Sequence, residues 1–431
     1  MFNTRICLVA LGIMAATQAV ASEQSDSKGF VADSTLNVLL RNGYINRDYK
    51  NRPSTTNDAA EWGQAFIGTF NSGFTQGTVG VGVDAFGLYA VRLDGGKGRS
   101  GNGGIDFFKQ DNDGSAAHDL ARLGGAVKFR LSNTVLKYGD LMPSLPVLQY
   151  DDSRLLPETF TGTMITSKEI KGLEINAGHF TAEARKSATG RDSGGLKQID
   201  VLGGSYVFNE QFKGSLYALD AKDVYKQQYL GLTYVQPLAK DQSLTLDFNG
   251  YRTDLDTEFA DARGSGDSNR IWSLAATYTT GAHSFTLAHQ RSSGSADFPY
   301  GGYQNNGGVG NGGNSIYLAN SYWSDFNGED ERSWQLGYGL DFSTFGVPGL
   351  TYKFAYVRGD NIHTVNGNGS EREIFNQVQY VVQSGVAKDL KLRARSSILR
   401  VSNAVSADKT GGYNVGGNEV RLFAEYPISI F

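Results

Sequence analysis

Residues Glu419–Ile430 read EVRLFAEYPISI, and their even positions (Val420, Leu422, Ala424, Tyr426, Ile428 and Ile430) form one apolar face. Successive side chains of a β-strand point to opposite sides, so this period of two makes a strand with one greasy face and one face carrying Arg421 and Glu425. The same beat recurs upstream. In Ser243–Tyr251 (SLTLDFNGY), Leu244, Leu246 and Phe248 alternate with Thr245, Asp247 and Asn249. In Leu350–Tyr356 (LTYKFAY), Leu350, Tyr352, Phe354 and Tyr356 oppose Thr351, Lys353 and Ala355. In Asn376–Gln383 (NQVQYVVQ), Gln377, Gln379 and Gln383 oppose Val378, Tyr380 and Val382. Amphipathic stretches with the helical period of 3.6 are almost absent, so the chain is all-β.

A soluble sandwich alternates too, and the connections arbitrate. Short turns at Asn209-Glu210, Lys240-Asp241 and Gly281-Ala282 take turns with long, polar, Gly-rich gaps. The long gaps run over 95–118, 181–195, 253–269, 292–314, 360–370 and 403–418. In an up-and-down meander this puts every long loop at one end, the asymmetry of outer-membrane barrels. Polar strand faces lining an aqueous interior explain how a membrane protein has a mean hydropathy of −0.33. About 18 or 19 strands can be counted, and a closed bacterial barrel with both termini on one side needs an even number. The expectation is an 18-stranded antiparallel transmembrane β-barrel. SIYLANS (Ser315–Ser321) then belongs to an inward-folded loop of about 292–331.

The start of the chain has Arg5, an apolar run from Ile6 to Ala16, and small residues at Ala19 and Ala21. That is a secretory signal pattern over 1–21, leaving 22–431 as the barrel. The single cysteine, Cys7, falls inside it, which removes disulfides and thiolate chemistry from the mature chain. A formal charge of −4 argues against a nucleic-acid partner. The five histidines show no metal spacing, and Asp111–Gly114 (DNDG) lacks the calcium-loop pattern. Gly308–Gly313 (GVGNGG) lacks the βαβ context of a nucleotide loop. No enzyme motif, metal or cofactor is expected.

What remains is charge. Lys388–Arg400 reads KDLKLRARSSILR, with Lys391, Arg393 and Arg395 on one face and Leu390, Leu392 and Ala394 on the other. A cation facing lipid costs about 2–4 kcal/mol at midplane, so the cations must face the lumen. Arg41 with Arg47, Lys128 with Arg130, Lys353 and Arg421 repeat the pattern. Barrel closure sets the first strand beside the last, and a wall of cations is a path for anions. The competing reading is that these residues balance lumen acids such as Asp247 or Glu425. Tyr138–Gly162 holds Pro143, Pro146 and Pro157 and apolar residues that do not alternate. An inward constriction loop over about 139–161 accounts for it, with Ser153 and Arg154 at the opening; an external lid or a subunit contact is the other use of such a loop.

Several stretches resemble the OprD-type substrate-specific porins: Ser72–Gly87 (SGFTQGTVGVGVDAFG), DDSRLLPETFTG, Ala177–Phe180 (AGHF), DQSLTLDFNGYRT, SIYLANS with Ser324–Gly328 (SDFNG), Phe345–Leu350 (FGVPGL) and EYPISIF. The resemblance runs from the first strand to the last residue. It implies an outer-membrane carboxylate channel with an inward loop and a basic ladder at Arg41, Arg130, Arg393, Arg395 and Arg421. It also implies Ser153 and Arg154 on the loop, an acidic side at Asp325, and a monomer or weak oligomer among outer-membrane lipid and lipopolysaccharide. DAFGLYAVRLDGGKGR is similar to the subgroup favouring aromatic and cyclic monocarboxylates. The expected function is passive, selective uptake of small carboxylate solutes; a general diffusion pore is the alternative.

Overall fold

The computed structural model describes residues 22–50, 58–95, 99, 105–111, 114–191, 195–299, 303, 316–408 and 416–431. The signal segment 1–21 and GVGNGG lie outside them, as does part of DNDG. Eighteen strands form one closed antiparallel sheet. In chain order the barrel strands are β1 (Thr35–Tyr49), β2 (Ala59–Asn71), β3 (Val79–Asp94), β4 (Asp119–Leu131), β5 (Thr134–Leu141) and β6 (Thr159–Ser167). Next come β7 (Leu173–Ala184), β8 (Ile199–Val207), β9 (Phe212–Ala221), β10 (Tyr225–Ala239), β11 (Gln242–Leu255) and β12 (Ser268–Thr280). The last six are β13 (His283–Gly294), β14 (Arg332–Asp341), β15 (Leu350–Ile362), β16 (Gly369–Val381), β17 (Lys391–Val401) and β18 (Gly417–Ser429). Each strand pairs with its sequence neighbours, and β18 pairs with β1 from Asn37↔Ser429 to Tyr49↔Gly417. Closure leaves no sheet edge in hydrocarbon, where an unpaired backbone group costs several kcal/mol.

Alternation sorts the two surfaces. Leu216, Leu274, Leu287, Leu336, Leu392 and Leu422 are exposed on the outer face, while Arg41, Lys128, Glu419 and Glu425 are buried on the inner one. No described helix is long and apolar enough to cross a membrane. Loop lengths follow the expected alternation with two departures. The outer-end connection between β9 and β10 is only 222–224, and the opposite end includes longer links at 342–349 and 382–390. The long gap expected over 360–370 shrinks to 363–368, because β15 and β16 extend past a bulge at Asp360/Ile362.

Candidate functional site

Three neighbouring strands build the charged wall. The register sets Lys391 beside Glu425 and Glu425 beside Arg41. One rung further out come Arg393, Phe423 and Gly43, then Arg395, Arg421 and Ile45, then Ser397, Glu419 and Arg47. Same-face residues on one strand are about 6.8 Å apart, so these rows form a charged column along the inner wall. Its ends are neutralised. Glu425 binds Arg41 Nε at 2.8 Å and Lys391 Nζ at 2.5 Å, and Glu419 binds Arg47 Nε at 2.8 Å and Arg421 Nε at 2.6 Å. Arg393 and Arg395, the two middle rungs, have no acidic partner in ion-pair contact among the described residues. Their guanidinium carbons lie over the rings of Phe423 (5.1 Å) and Phe375 (4.9 Å). Arg395 Nε and Nη2 are shielded and donate to no oxygen among the described residues.

The segment between β5 and β6, residues 142–158, crosses the lumen. Arg41 fixes its near end: Nη1 donates to Asp152 Oδ1 at 2.7 Å and to the Arg154 carbonyl at 3.0 Å. Leu155 and Leu156 are fully buried in a cluster with Phe107, Phe108 and Phe423. Gly43 and Gly63 make this seat possible, because a Cβ on Gly63 would stand 2.3 Å from Leu155 Cδ1 and one on Gly43 2.8 Å from Phe423. The far end is held on the opposite wall, where Tyr251 donates to the Pro146 carbonyl at 3.0 Å and Tyr303 to that of Val147 at 3.1 Å. Leu145, Val147 and Leu148 pack there with Phe160, Tyr225 and Phe298. Lys186 holds Asp151 at 2.7 Å. Burial opposes ionisation of Asp151, but Lys186 and Arg154 outweigh it and hold the carboxyl at about 2.

A second inward segment, within 295–331, lines the β12–β16 wall. The amide of Ala319 donates to Ser273 Oγ (3.0 Å), Asn320 Nδ2 donates to Ser333 Oγ (2.8 Å), and the Ser324 amide donates to Glu373 (2.9 Å). Asp325 accepts from the Ser321 hydroxyl. Burial pushes its carboxyl up to about 6, Glu373 adds to that, and the charges of Arg395 and Arg421 oppose it. The crossing segment and the wall-lining segment thus both come near the wall that carries Arg393 and Arg395, and the lumen between them is the candidate eyelet.

The other sequence-predicted residues fall into three groups. Ser153 accepts from Arg154 Nη1 at 2.6 Å, and Arg154, itself buried and bonded to the Ile105 carbonyl, sits within electrostatic reach of Arg421 and Arg47. Lys128 is bound to Asp84 (2.6 Å) and the Ser72 carbonyl (2.8 Å), and Arg130 to Gln24 (2.9 Å), three strands away from the eyelet. Lys353 lies exposed on the inner parity of β15 near its β14-side end. Five of these cations are paired with acids, as the competing reading of charge balance has it. Arg41, Arg47, Lys128, Lys391 and Arg421 each hold a carboxylate. Sequence reasoning missed Arg122, which donates to the carbonyls of Pro157, Ala184, Arg185 and Ala188 and so ties the crossing loop to the wall. Its signal was available, since it shares the even, inward parity of Lys128 and Arg130 on β4.

A closed barrel with an apolar outer band, a charged lumen and a plugging loop defines an outer-membrane channel of the porin class. Residues 28–430 match the family model described as outer membrane porin, OprD family. The chain is 43% identical over 440 residues to Porin D of Pseudomonas aeruginosa, covering 96% of this chain and 95% of that one. The crystal structure of Acinetobacter baumannii OccAB1 superposes with a TM-score of 0.86 at 40% identity, covering 95% of this chain and all of that one. Pseudomonas aeruginosa OpdK, solved with vanillate, gives 0.78 at 31% identity over 93% of this chain and all of that one. The chain belongs to the OprD family of outer-membrane porins, and it is a channel rather than an enzyme.

Proposed function

We propose that this porin selects small carboxylate-bearing solutes, and that Arg393 and Arg395 are the rungs that handle the carboxylate. The observation that carries the reading is that these two guanidiniums, on the lumen face of the β17–β18–β1 wall, have no acid in ion-pair contact among the described residues. One carboxylate about 4 Å from a guanidinium gains about 4 kcal/mol at an effective dielectric near 20. That is enough to draw an anion into the eyelet. It is weak enough for release when the next guanidinium waits about 7 Å along the strand. The Arg fork also suits the two oxygens of a carboxylate. Arg41, Lys391, Arg47 and Arg421, with their acids, frame the eyelet and set the field on its flanks; Asp325 supplies the opposing charge. Loop contacts through Ser153 and Arg154 keep the aperture in register with the rungs. The solute's remaining body is the finer question. The vanillate-bound relative favours testing aromatic monocarboxylates first, although identity is higher to Porin D.

The test is uptake by proteoliposomes of a monocarboxylate series, aromatic and aliphatic, against neutral sugars of equal size. Carboxylates are expected to pass faster, and R393A/R395A to lower their flux about 10-fold, the worth of one charge-assisted contact, while leaving the folded barrel intact. Equal rates for carboxylates and sugars would make the protein a general diffusion pore. An unchanged flux in the double variant would remove both arginines from the path.

A further inference from the structure

Seven consecutive strands, β11 to β17, each carry one arginine on the lipid-facing parity near the long-loop end: Arg252, Arg270, Arg291, Arg332, Arg358, Arg372 and Arg400. The register opposes Arg252 to Arg270, Arg291 to Arg332, Arg358 to Arg372, and Arg372 to Arg400. Like charges directly opposite on a sheet repel and destabilise it. The arc holds only scattered relief: Asp254 at 3.4 Å from Arg252 and Asp360 at 3.3 Å from Arg332. Arg270, Arg291, Arg358 and Arg372 are exposed and have no carboxylate partner among the described residues. Just toward the membrane lies an aromatic belt, with His289 stacked on Trp334 (4.3 Å), edge-on to Trp272 (5.5 Å), and Trp272 stacked on Phe248 (6.4 Å). Such belts mark the headgroup level of a bilayer, so the arginines sit in the outer leaflet's polar layer. On the neighbouring strands the same level is mixed: Asp200 on β8 stands 2.7 Å from His179, and Asp220 on β9 stands 3.4 Å from Lys226 on β10. The basic arc is confined to one side.

We infer that this arc is a docking surface for the phosphate groups of the outer leaflet's glycolipid, lipopolysaccharide. A guanidinium fork binds a phosphoryl group bidentately, and an anion seated between paired arginines converts the repulsion of the register into attraction. Arginine at all seven positions, with no lysine, suits planar two-point recognition better than diffuse charge attraction. The inference rests on the outer-membrane location and is independent of which solute the channel carries.

The test uses the full-length barrel in detergent, titrated with bis-phosphorylated lipid A, with the same lipid dephosphorylated, and with inorganic phosphate. Bis-phosphorylated lipid A is expected to bind and raise the unfolding temperature. The variant R270Q/R291Q/R358Q/R372Q should weaken binding about 10-fold or more, the factor set by one lost charge-assisted contact. Its single-channel conductance should be unchanged, and without lipid it should unfold no earlier than the parent because four repelling charges are gone. Equal binding of dephosphorylated lipid, undiminished binding by the variant, or saturation by inorganic phosphate that lipid A cannot displace would each overturn the proposal.

Discussion

Arg395 spans two worlds: one face lies over Phe375, and Nε and Nη2 donate to no oxygen among the described residues. Shielded N–H groups without a partner are costly, and in the proposed reading a passing anion would satisfy them. Asp325 modulates that field. It stands in electrostatic reach of both Arg395 and Arg421, with Glu373 and the Ser321 hydroxyl as its other neighbours. Burial holds its carboxyl at about 6. The sign follows directly. Above pH 6 the ionised group partly cancels the guanidiniums; below it the neutral group removes that part of the cancellation. Anion-over-cation selectivity, read as the reversal potential in a salt gradient, should therefore rise as pH falls from 7.5 to 5. Asp325→Asn should lose the inflection near 6. A parent profile with no inflection near 6, or a variant that keeps one, would remove Asp325 from the eyelet's electrostatics.

At the scale of elements, the crossing segment 142–158 is held across the lumen by two kinds of force. Arg41, Lys186 and Arg122 grip its backbone and acids, while Leu155 and Leu156 fill the gap above Gly43 and Gly63. Burying a leucine fully contributes about 1.5–3 kcal/mol. Leu155→Ser with Leu156→Ser should thus free the near end of the loop without touching a lumen charge. Planar-bilayer conductance should then increase several-fold, and neutral sugars should enter at rates the parent refuses. Unchanged conductance would mean that the polar grip alone sets the aperture. Alternation made the strands legible, because placing Leu422 or Leu392 inward and Arg421 or Arg393 in lipid is energetically forbidden. The loop's inward course was legible from prolines and non-alternating leucines in Tyr138–Gly162. Its anchors were not, since nothing local to Tyr251 or Lys186 says that a residue about 100 or 35 positions upstream will meet it. The acids escaped for the same reason: Glu425 reads as one more polar residue until the register sets it between Lys391 and Arg41.

For the whole molecule, the last strand does two jobs that parity alone could not assign. Its backbone closes the cylinder, pairing β17 from Lys391↔Glu425 to Leu399↔Gly417 and β1 along its full length. The chain end joins in, as the Phe431 carbonyl accepts from the Leu36 amide at 3.1 Å and the Ile430 amide donates to Leu36 at 2.8 Å. Its inward side chains, Glu419 and Glu425, neutralise Arg47, Arg421, Arg41 and Lys391, so the seam is also where the ladder is charge-balanced. Deleting 417–431 would open two edges in hydrocarbon, each unpaired group costing several kcal/mol, and would take Glu419 from Arg47 and Glu425 from Lys391 and Arg41, leaving Arg41 with Asp152. The truncated chain should yield no heat-modifiable band on gels after refolding into detergent and no channels in bilayers. Val420→Ala with Leu422→Ala keeps every backbone bond and both glutamates and shaves only the lipid face. That variant should fold, conduct like the parent and unfold at lower urea. If the truncated chain folds and conducts, β17 and β1 can close without β18 and the seam is dispensable. If the alanine variant fails as completely as the deletion, the lipid face rather than backbone closure is what assembles the barrel.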